Sequence, residues 1–485
     1  MISFLLCLAL LIAGYFIYGR MAERLFGPDD RLTPVRLHPD GVDYIAMPRW
    51  RIFMIQFLNI AGTGPIFGAI LGAKFGTACF LWIVFGCILI GAVHDYLAAM
   101  ISLRHDGESL PEIIGRYLGT TAKGIMRGFT ILLLILVGAV FVISPATILD
   151  NLTSGHIGPY VWMAAIFAYY LLASVLPIDK VIGRIYPIFA IALLFMAAGL
   201  CVTFFFHVPA SMPELWDGLS NTHPQADTTP LFPMLFITVA CGAISGFHAT
   251  QSPMMCRCMH SERDGRPVFY GAMITEGIVA LIWAAAATCL YHTDAATLAN
   301  SDAPVLVFEI TRDWLGPIGA ILAILGVVAA PITTGDTALR SCRLIVADML
   351  KLSQARLANR LGLSVVLFAV TAMVMVFSLA DPNGFNILWR YFAWANQTLA
   401  VFTLWAVTVY LARRRTWYVV TLLPAMFMTM VCASFILLSP TGLHLSATMA
   451  YTISAALTLV FTLWFAVWNS RQRHADALKD LEVSH

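Results

Sequence analysis

Five places in this sequence set groups able to hold or pass a charge inside long apolar runs. They are His94-Asp95, His248, Glu276, Thr333-Thr334 with Asp336, and Asn396-Gln397. Ionisable groups at membrane depth are expensive, so each is a candidate for function by default. His248 can change charge near neutral pH, which suits proton coupling; the competing reading is a neutral packing histidine. Glu276 lies nine residues beyond Pro267, about 13 Å of helix rise, too deep for easy escape to water. A carboxyl there is either a proton carrier or the partner of a neighbouring helix. Thr333, Thr334 and Asp336 form the oxygen-rich kind of group that hard cations take. Threonines also bond back to their own helix, and Asp336 is one turn from Arg340. His94 and Asp95 are adjacent, so about 100° apart on a helix, and are expected to serve different neighbours. Asp95 either couples ions or pairs with a basic residue such as Arg104. Asn396 and Gln397 are neutral amides suited to a substrate or to another helix.

What must position these groups is a helix that interrupts itself. In Asn59-Ile60-Ala61-Gly62-Thr63-Gly64-Pro65, two glycines and a proline fall inside an apolar run from Trp50 to Ala73. Proline removes a helical hydrogen bond and glycine leaves the main chain uncovered. Hydrocarbon tolerates bare backbone only where protein or a water-filled cavity meets it. A second break, Cys241-Gly242-Ala243-Ile244-Ser245-Gly246-Phe247-His248, lies in another apolar span. Paired broken helices point to the binding site of a secondary transporter, although small residues also let ordinary helices approach closely.

The chain has 485 residues, 60% hydrophobic and 12% charged, with a mean hydropathy of +0.81. This composition specifies an all-α polytopic membrane protein. Thirteen apolar spans are predicted near 2–19, 48–73, 77–101, 125–148, 159–176, 185–207, 231–259, 268–291, 315–339, 361–380, 385–410, 416–438 and 446–468. With the N-terminus outside, all but Lys74, Arg312 and Arg390 of the 29 Lys and Arg lie on the inner side. The positive-inside rule therefore predicts an outer N-terminus and a cytoplasmic C-terminus. The first span has no basic n-region or small-residue cleavage site and reads as retained. No nucleic-acid motif appears.

The two breaks fall in spans two and seven, five helices apart, so those spans run in opposite directions. Spans 2–6 and 7–11 thus read as an inverted five-plus-five repeat of the LeuT type. Between the second and third helices of each half lies a short amphipathic stretch that follows a proline: Ser109 to Gly119, and Ala303 to Gly316. The expected organisation is an N-terminal helix and cytoplasmic loop (1–47), a first repeat (48–207), an extracytoplasmic loop (208–230) and a second repeat (231–410). Two peripheral helices (411–468) and a tail (469–485) complete it.

Several segments together resemble the carbon starvation protein A family of peptide and pyruvate transporters, over roughly Trp50 to Leu404. They are Asn59 to Gly68, Gly91-Ala92-Val93-His94-Asp95, Arg104 to Leu110, Gly242 to Ala249 and Tyr270-Gly271-Ala272-Met273 with Glu276. Thr334-Gly335-Asp336-Thr337 and Ala395 to Ala400 complete the set. The resemblance implies an inner-membrane permease used when carbon is scarce, taking up small peptides or pyruvate with protons. Many members are longer. Gln251 to Cys256 stands where they carry a Ser-Gly-Thr-rich stretch, and Gln56 stands where a histidine is usual.

The reading is a secondary-active importer and not an enzyme. Its expected substrate site is Asn59, Gly62, Thr63 and Gly64 with Gly242, Ser245, Gly246, Phe247, Asn396 and Gln397. Amides at half-helix N-termini favour a carboxylate. His94, Asp95, His248, Glu276, Thr333, Thr334 and Asp336 are the expected coupling groups. The coupling ion is a proton or, in the alternative, sodium, and no cofactor is expected. The ten cysteines lie mostly in apolar segments, against a disulfide framework. Met254-Met255-Cys256-Arg257-Cys258-Met259-His260 offers soft-metal ligands but reads as packing, so no metal site is expected. The expected partners are a small-molecule or short-peptide substrate and the lipid bilayer. The rival class is a membrane-embedded metal or haem enzyme using His94, His248 and the Met/Cys cluster; it needs those histidines on facing helices. A passive channel or a sensor is a third.

Overall fold

A computed structural model describes residues 1–153, 155–175, 182–207, 212–293, 303–354, 356–381, 384–440 and 442–483. Helices dominate, with no strand among the described residues. In chain order they are α1 (Ile2–Phe26), α2 (Arg49–Ile60), α3 (Gly64–Gly72), α4 (Ala78–Arg104), α5 (Leu110–Leu118), α6 (Thr120–Leu152), α7 (Pro159–Val175) and α8 (Ile182–His207). Then follow α9 (Leu231–Thr238), α10 (His248–Cys256), α11 (Gly271–Thr293), α12 (Ala303–Leu350), α13 (Leu357–Ala380), α14 (Gly384–Arg413), α15 (Val419–Leu438) and α16 (Ala447–Val483). Every expected span coincides with a helix or a broken helix. Among the described residues nine helices are long and apolar enough to cross a bilayer, and α2 with α3, bent by 48°, makes a tenth. The other three spans are α7, which is shorter, the broken pair α9–α10, and α12, which bends at Gly316. The last helix continues past the expected boundary at 468 to Val483. Lys180, assigned to an inner loop, lies outside the described residues.

Both glycine-rich segments are true breaks. α2 stops at Ile60 because Ala61 leaves helical backbone (φ −81°, ψ 52°), and α3 restarts at Gly64 with Pro65 in its first turn. α9 stops at Thr238, Gly242 takes φ +90°, and helix resumes at His248. Other helices cap the bared carbonyls, as the absence of water in hydrocarbon demands. Thr334 Oγ1 donates to Leu58 O (3.2 Å) at the first break. Trp82 Nε1 donates to Val239 O (2.8 Å) and Gln397 Nε2 to Phe236 O (3.3 Å) at the second.

The packing comes in inverted couples. α3 lies against α11 as α10 lies against α4; α8 lies against α12 as α14 lies against α6; and α6 meets its own counterpart α12. The two amphipathic stretches end alike. Gly119 (φ 95°, ψ 172°) joins α5 to α6, and Gly316 (φ 65°, ψ −171°) turns the chain within α12. That backbone region is essentially glycine-only and costs a side chain about 1–3 kcal/mol. Among the described residues nothing lies within 4 Å of an added Cβ at either site, so backbone strain sets the expected cost. Gly119→Ala and Gly316→Ala should each destabilise by about 1–3 kcal/mol, and the double variant by roughly the sum, in thermal unfolding followed in detergent.

Helix α1 packs on α4 and α11, and α15 and α16 pack on α14. The residues between α1 and α2 form a strap across the arginine-rich end. Arg104, expected as a partner of Asp95, instead holds Glu262 with two 2.9 Å bonds and also donates to Gly27 O (2.7 Å). Arg263 pairs with Asp30 (2.8 Å), Met47 N donates to Cys258 O (3.2 Å), and Asp43 reaches Arg340 at 3.4 Å. Beside the strap, Glu112 is bound by Lys123 and Arg127. Partial burial raises the Glu112 pKa, but those two hydrogen bonds outweigh it and hold the carboxyl below its ordinary range. Its contribution to stability is therefore present above that range and is lost as pH falls through the lowered value.

Candidate functional site

Sequence-distant side chains converge where the breaks meet. The contact is close because Gly64 backs onto the side chain of Cys241, Gly62 onto Thr334, and Gly246 onto the backbone of α14. The glycines thus both interrupt the helices and let them approach. Gln56, Asn59, Thr63, His94, Asp95, Ser245, His248, Glu276, Asn396 and Gln397 are all fully buried, so the centre is closed to both sides.

The second break carries the ionisable chain. Asp95 lies just beyond a π-helical stretch, Trp82–Gly91, of α4. Its Oδ1 accepts from His94 Nδ1 and its Oδ2 from His248 Nδ1, each at 2.8 Å. On the far side of the His248 ring, Nε2 stands 3.4 Å from Glu276 Oε2. The expectation that His94 and Asp95 serve different neighbours is corrected: rotation of a short carboxyl about its own bond lets Asp95 bridge both imidazoles. Among the described residues, the only ion-pair partners of Asp95 and Glu276 are these histidines. Two buried carboxylates therefore share imidazoles, with no Lys or Arg bound to them.

Asn396 organises the unwound segment. Its Oδ1 accepts from Phe247 N (2.7 Å) and Ser245 Oγ (3.0 Å), replacing partners that a continuous helix would have supplied. Gln397 donates to Phe236 O in the last turn of α9, just before that segment. Both amides bind main chain of another helix, one of the two roles open to them.

A second group gathers at the first break. Thr334 bonds back to Ala330 O (2.8 Å) as well as to Leu58 O, while Thr333 bonds back to Ala329 O and Ala330 O. Asp336 Oδ2 accepts from Tyr186 OH (2.6 Å), which also faces Thr333 O (3.1 Å). Arg340, weighed as the partner of Asp336, donates to Ala173 O (2.8 Å) and meets Asp43. Several buried polar atoms near the breaks have no partner among the described residues: both amide atoms of Asn59, Thr63 Oγ1, Gln56 Oε1 and Gln251 Oε1. Gln56 Nε2 reaches Ser252 Oγ at 3.4 Å.

Cys241 and Tyr186 were not singled out from sequence. Cys241 was readable as the first residue of the break, seven before His248. Tyr186, one aromatic in an apolar helix, gives no signal of its role. In the Met/Cys cluster Cys256 Sγ donates to Ala99 O (3.1 Å) and Met254, Met255 and Met259 sit in the hydrophobic core, as the packing reading holds.

The model of the carbon starvation protein CstA family matches residues 1–161, 156–313 and 294–434. The chain is similar to an uncharacterized membrane protein of Haemophilus influenzae, 42% identical over 340 residues that span 60% of this chain and 92% of that one. It is also similar to proteins named peptide transporter CstA. In Escherichia coli the identity is 26%, over 87% of this chain and 78% of the relative. In Mycobacterium tuberculosis it is 26%, over 83% and 70%. Among solved structures, MhsT in complex with L-phenylalanine aligns with a TM-score of 0.56 at 13% identity, over 86% of this chain and 99% of that one. A manganese transporter from Eremococcus coleocola aligns at 0.52 and 12% identity, over 90% and 99%. At such identities the likeness is one of fold, and that fold is the LeuT-type inverted repeat. The chain belongs to the carbon starvation protein CstA family.

Proposed function

We propose that this protein is a secondary-active importer of short peptides or pyruvate-like carboxylates, serving a bacterial inner membrane under carbon scarcity and driven by a proton gradient. The observation that carries the reading is the set of partnerless buried atoms on Gln56, Asn59, Thr63 and Gln251 beside the paired breaks. A buried polar group left unpaired costs about 1–3 kcal/mol. A substrate bearing amide or carboxylate groups would offset that cost during the transport cycle. The names of the relatives support a carrier over an enzyme. The basic end formed by Arg104, Arg263, Arg257 and Arg414 supports a cytoplasmic strap, and with it an outer N-terminus. Asp336 is the coupling group in this reading, with sodium at Thr334 and Leu58 O as the alternative.

The test is counterflow in proteoliposomes with labelled dipeptide and labelled pyruvate, at varied pH and sodium. Uphill accumulation of one of them under an inward proton gradient, without sodium, is the expected result. Asn59→Leu should weaken uptake of that substrate by about tenfold or more, the worth of one to two hydrogen bonds. Failure to accumulate either substrate under any gradient would remove the importer reading.

A further inference from the structure

We propose that Cys241, His248 and Glu276 form a transition-metal site, best matched to Zn²⁺, that locks the second break. One thiol sulfur, one imidazole nitrogen and one carboxylate oxygen lie within 4.8 Å of one another. Two ligands at about 2.0–2.1 Å from a tetrahedral zinc stand about 3.4 Å apart. His248 Nε2 and Glu276 Oε2 are 3.4 Å apart. That pair is close but is not aligned as a hydrogen bond, and Nε2 and both Glu276 oxygens have no hydrogen-bond partner among the described residues. Cys241 Sγ makes only long contacts, donating to Ser245 Oγ at 3.7 Å and accepting from Asn396 Nδ2 at 3.8 Å, which a metal–sulfur bond would replace.

The surrounding groups strengthen the assignment. A zinc-binding histidine characteristically donates its other ring N–H to a carboxylate, which fixes the ring and aims the free lone pair at the metal. His248 does this through Nδ1 to Asp95, which His94 in turn holds. The sulfur, nitrogen and oxygen set suits zinc better than magnesium or calcium. Three protein ligands leave one tetrahedral position open, the pattern of an exchangeable rather than a closed structural site. Binding ionises the Cys241 thiol, and its proton leaves to solvent as the zinc–sulfur bond forms. Cys241 lies within the unwound segment and His248 ends it, while Glu276 projects from α11. An ion held by all three ties the break to its neighbour and opposes any movement of it.

The experiment uses the full chain, purified in detergent and stripped with chelator. Equilibrium dialysis against Zn²⁺ followed by metal analysis should show one ion retained per chain and a higher melting temperature. Cys241→Ser and Glu276→Gln should each weaken retention at least tenfold, whereas Cys289→Ser, about 20 Å further along α11 from Glu276, should not. Co²⁺ loading of the wild type keeps the test valid should a variant fail to fold. A sulfur-to-cobalt charge-transfer band is then expected. No stoichiometric zinc, retention unaffected by both substitutions, or cobalt bound without the sulfur band would each overturn the site.

Discussion

Asp336→Asn is expected to leave a folded protein that still exchanges substrate but no longer accumulates it against a gradient. Asparagine has nearly the size of aspartate, and its amide oxygen can still accept the Tyr186 hydroxyl now bonded to Asp336 at 2.6 Å. What is lost is the ability to take and release a proton. The side chain is fully buried, and its Oδ1 has no hydrogen-bond partner among the described residues. It stands two residues from Thr334, whose hydroxyl touches the first break. A charge change there alters the cost of keeping the group away from water by several kcal/mol, enough to bias which face of the carrier opens. Labelled uptake in vesicles with an imposed pH difference should fall to the equilibrium level, while counterflow persists. Undiminished accumulation would take Asp336 out of the coupling.

Gly246→Ala is expected to be strongly disruptive. An added Cβ would press into the backbone of Asn396 and Ala400 and come within 2.7 Å of the Leu399 carbonyl carbon. Backbone inside a helix cannot turn aside as a side-chain tip can. Overpacking typically costs about 1–3 kcal/mol and more where nothing can yield. The methyl would also pry Asn396 from Phe247 N and Ser245, uncapping the unwound segment. Size-exclusion profiles and thermal melts in detergent should show a strongly reduced folded yield. Gly362→Ala, with nothing among the described residues within 4 Å of the added atom, serves as the harmless control.

Much of this architecture was legible because membranes leave the main chain few options. Long apolar runs had to be helices, and glycine and proline inside them had to be breaks. The five-helix offset between Gly62 and Gly242 then carried the inverted repeat, and Gly119 and Gly316 agree with it down to backbone conformation. The identities of the buried polar residues were legible too, since a charge in hydrocarbon is conspicuous. Their partners were not. Asp95 chooses His248 over Arg104, and Asp336 meets Tyr186, because helices distant in the chain are brought into register by side-chain packing that one sequence does not encode visibly. Cys241 escaped notice for a related reason: a buried cysteine looks like any small apolar residue until its neighbours are known.

One stretch of α12 has a mechanical consequence. Thr334 touches the first break, Asp336 follows two residues later, and Arg340 grips Asp43 of the strap. From Thr333 to Arg340 is about 10 Å of unbroken helix, so the three fixtures ride on one shaft. A tilt or turn that frees the Leu58 carbonyl must also drag the arginine that fastens the strap. The strap and the first break are thereby geared together, and a movement that frees one while the other stays fixed is penalised by the stiffness of the helix itself.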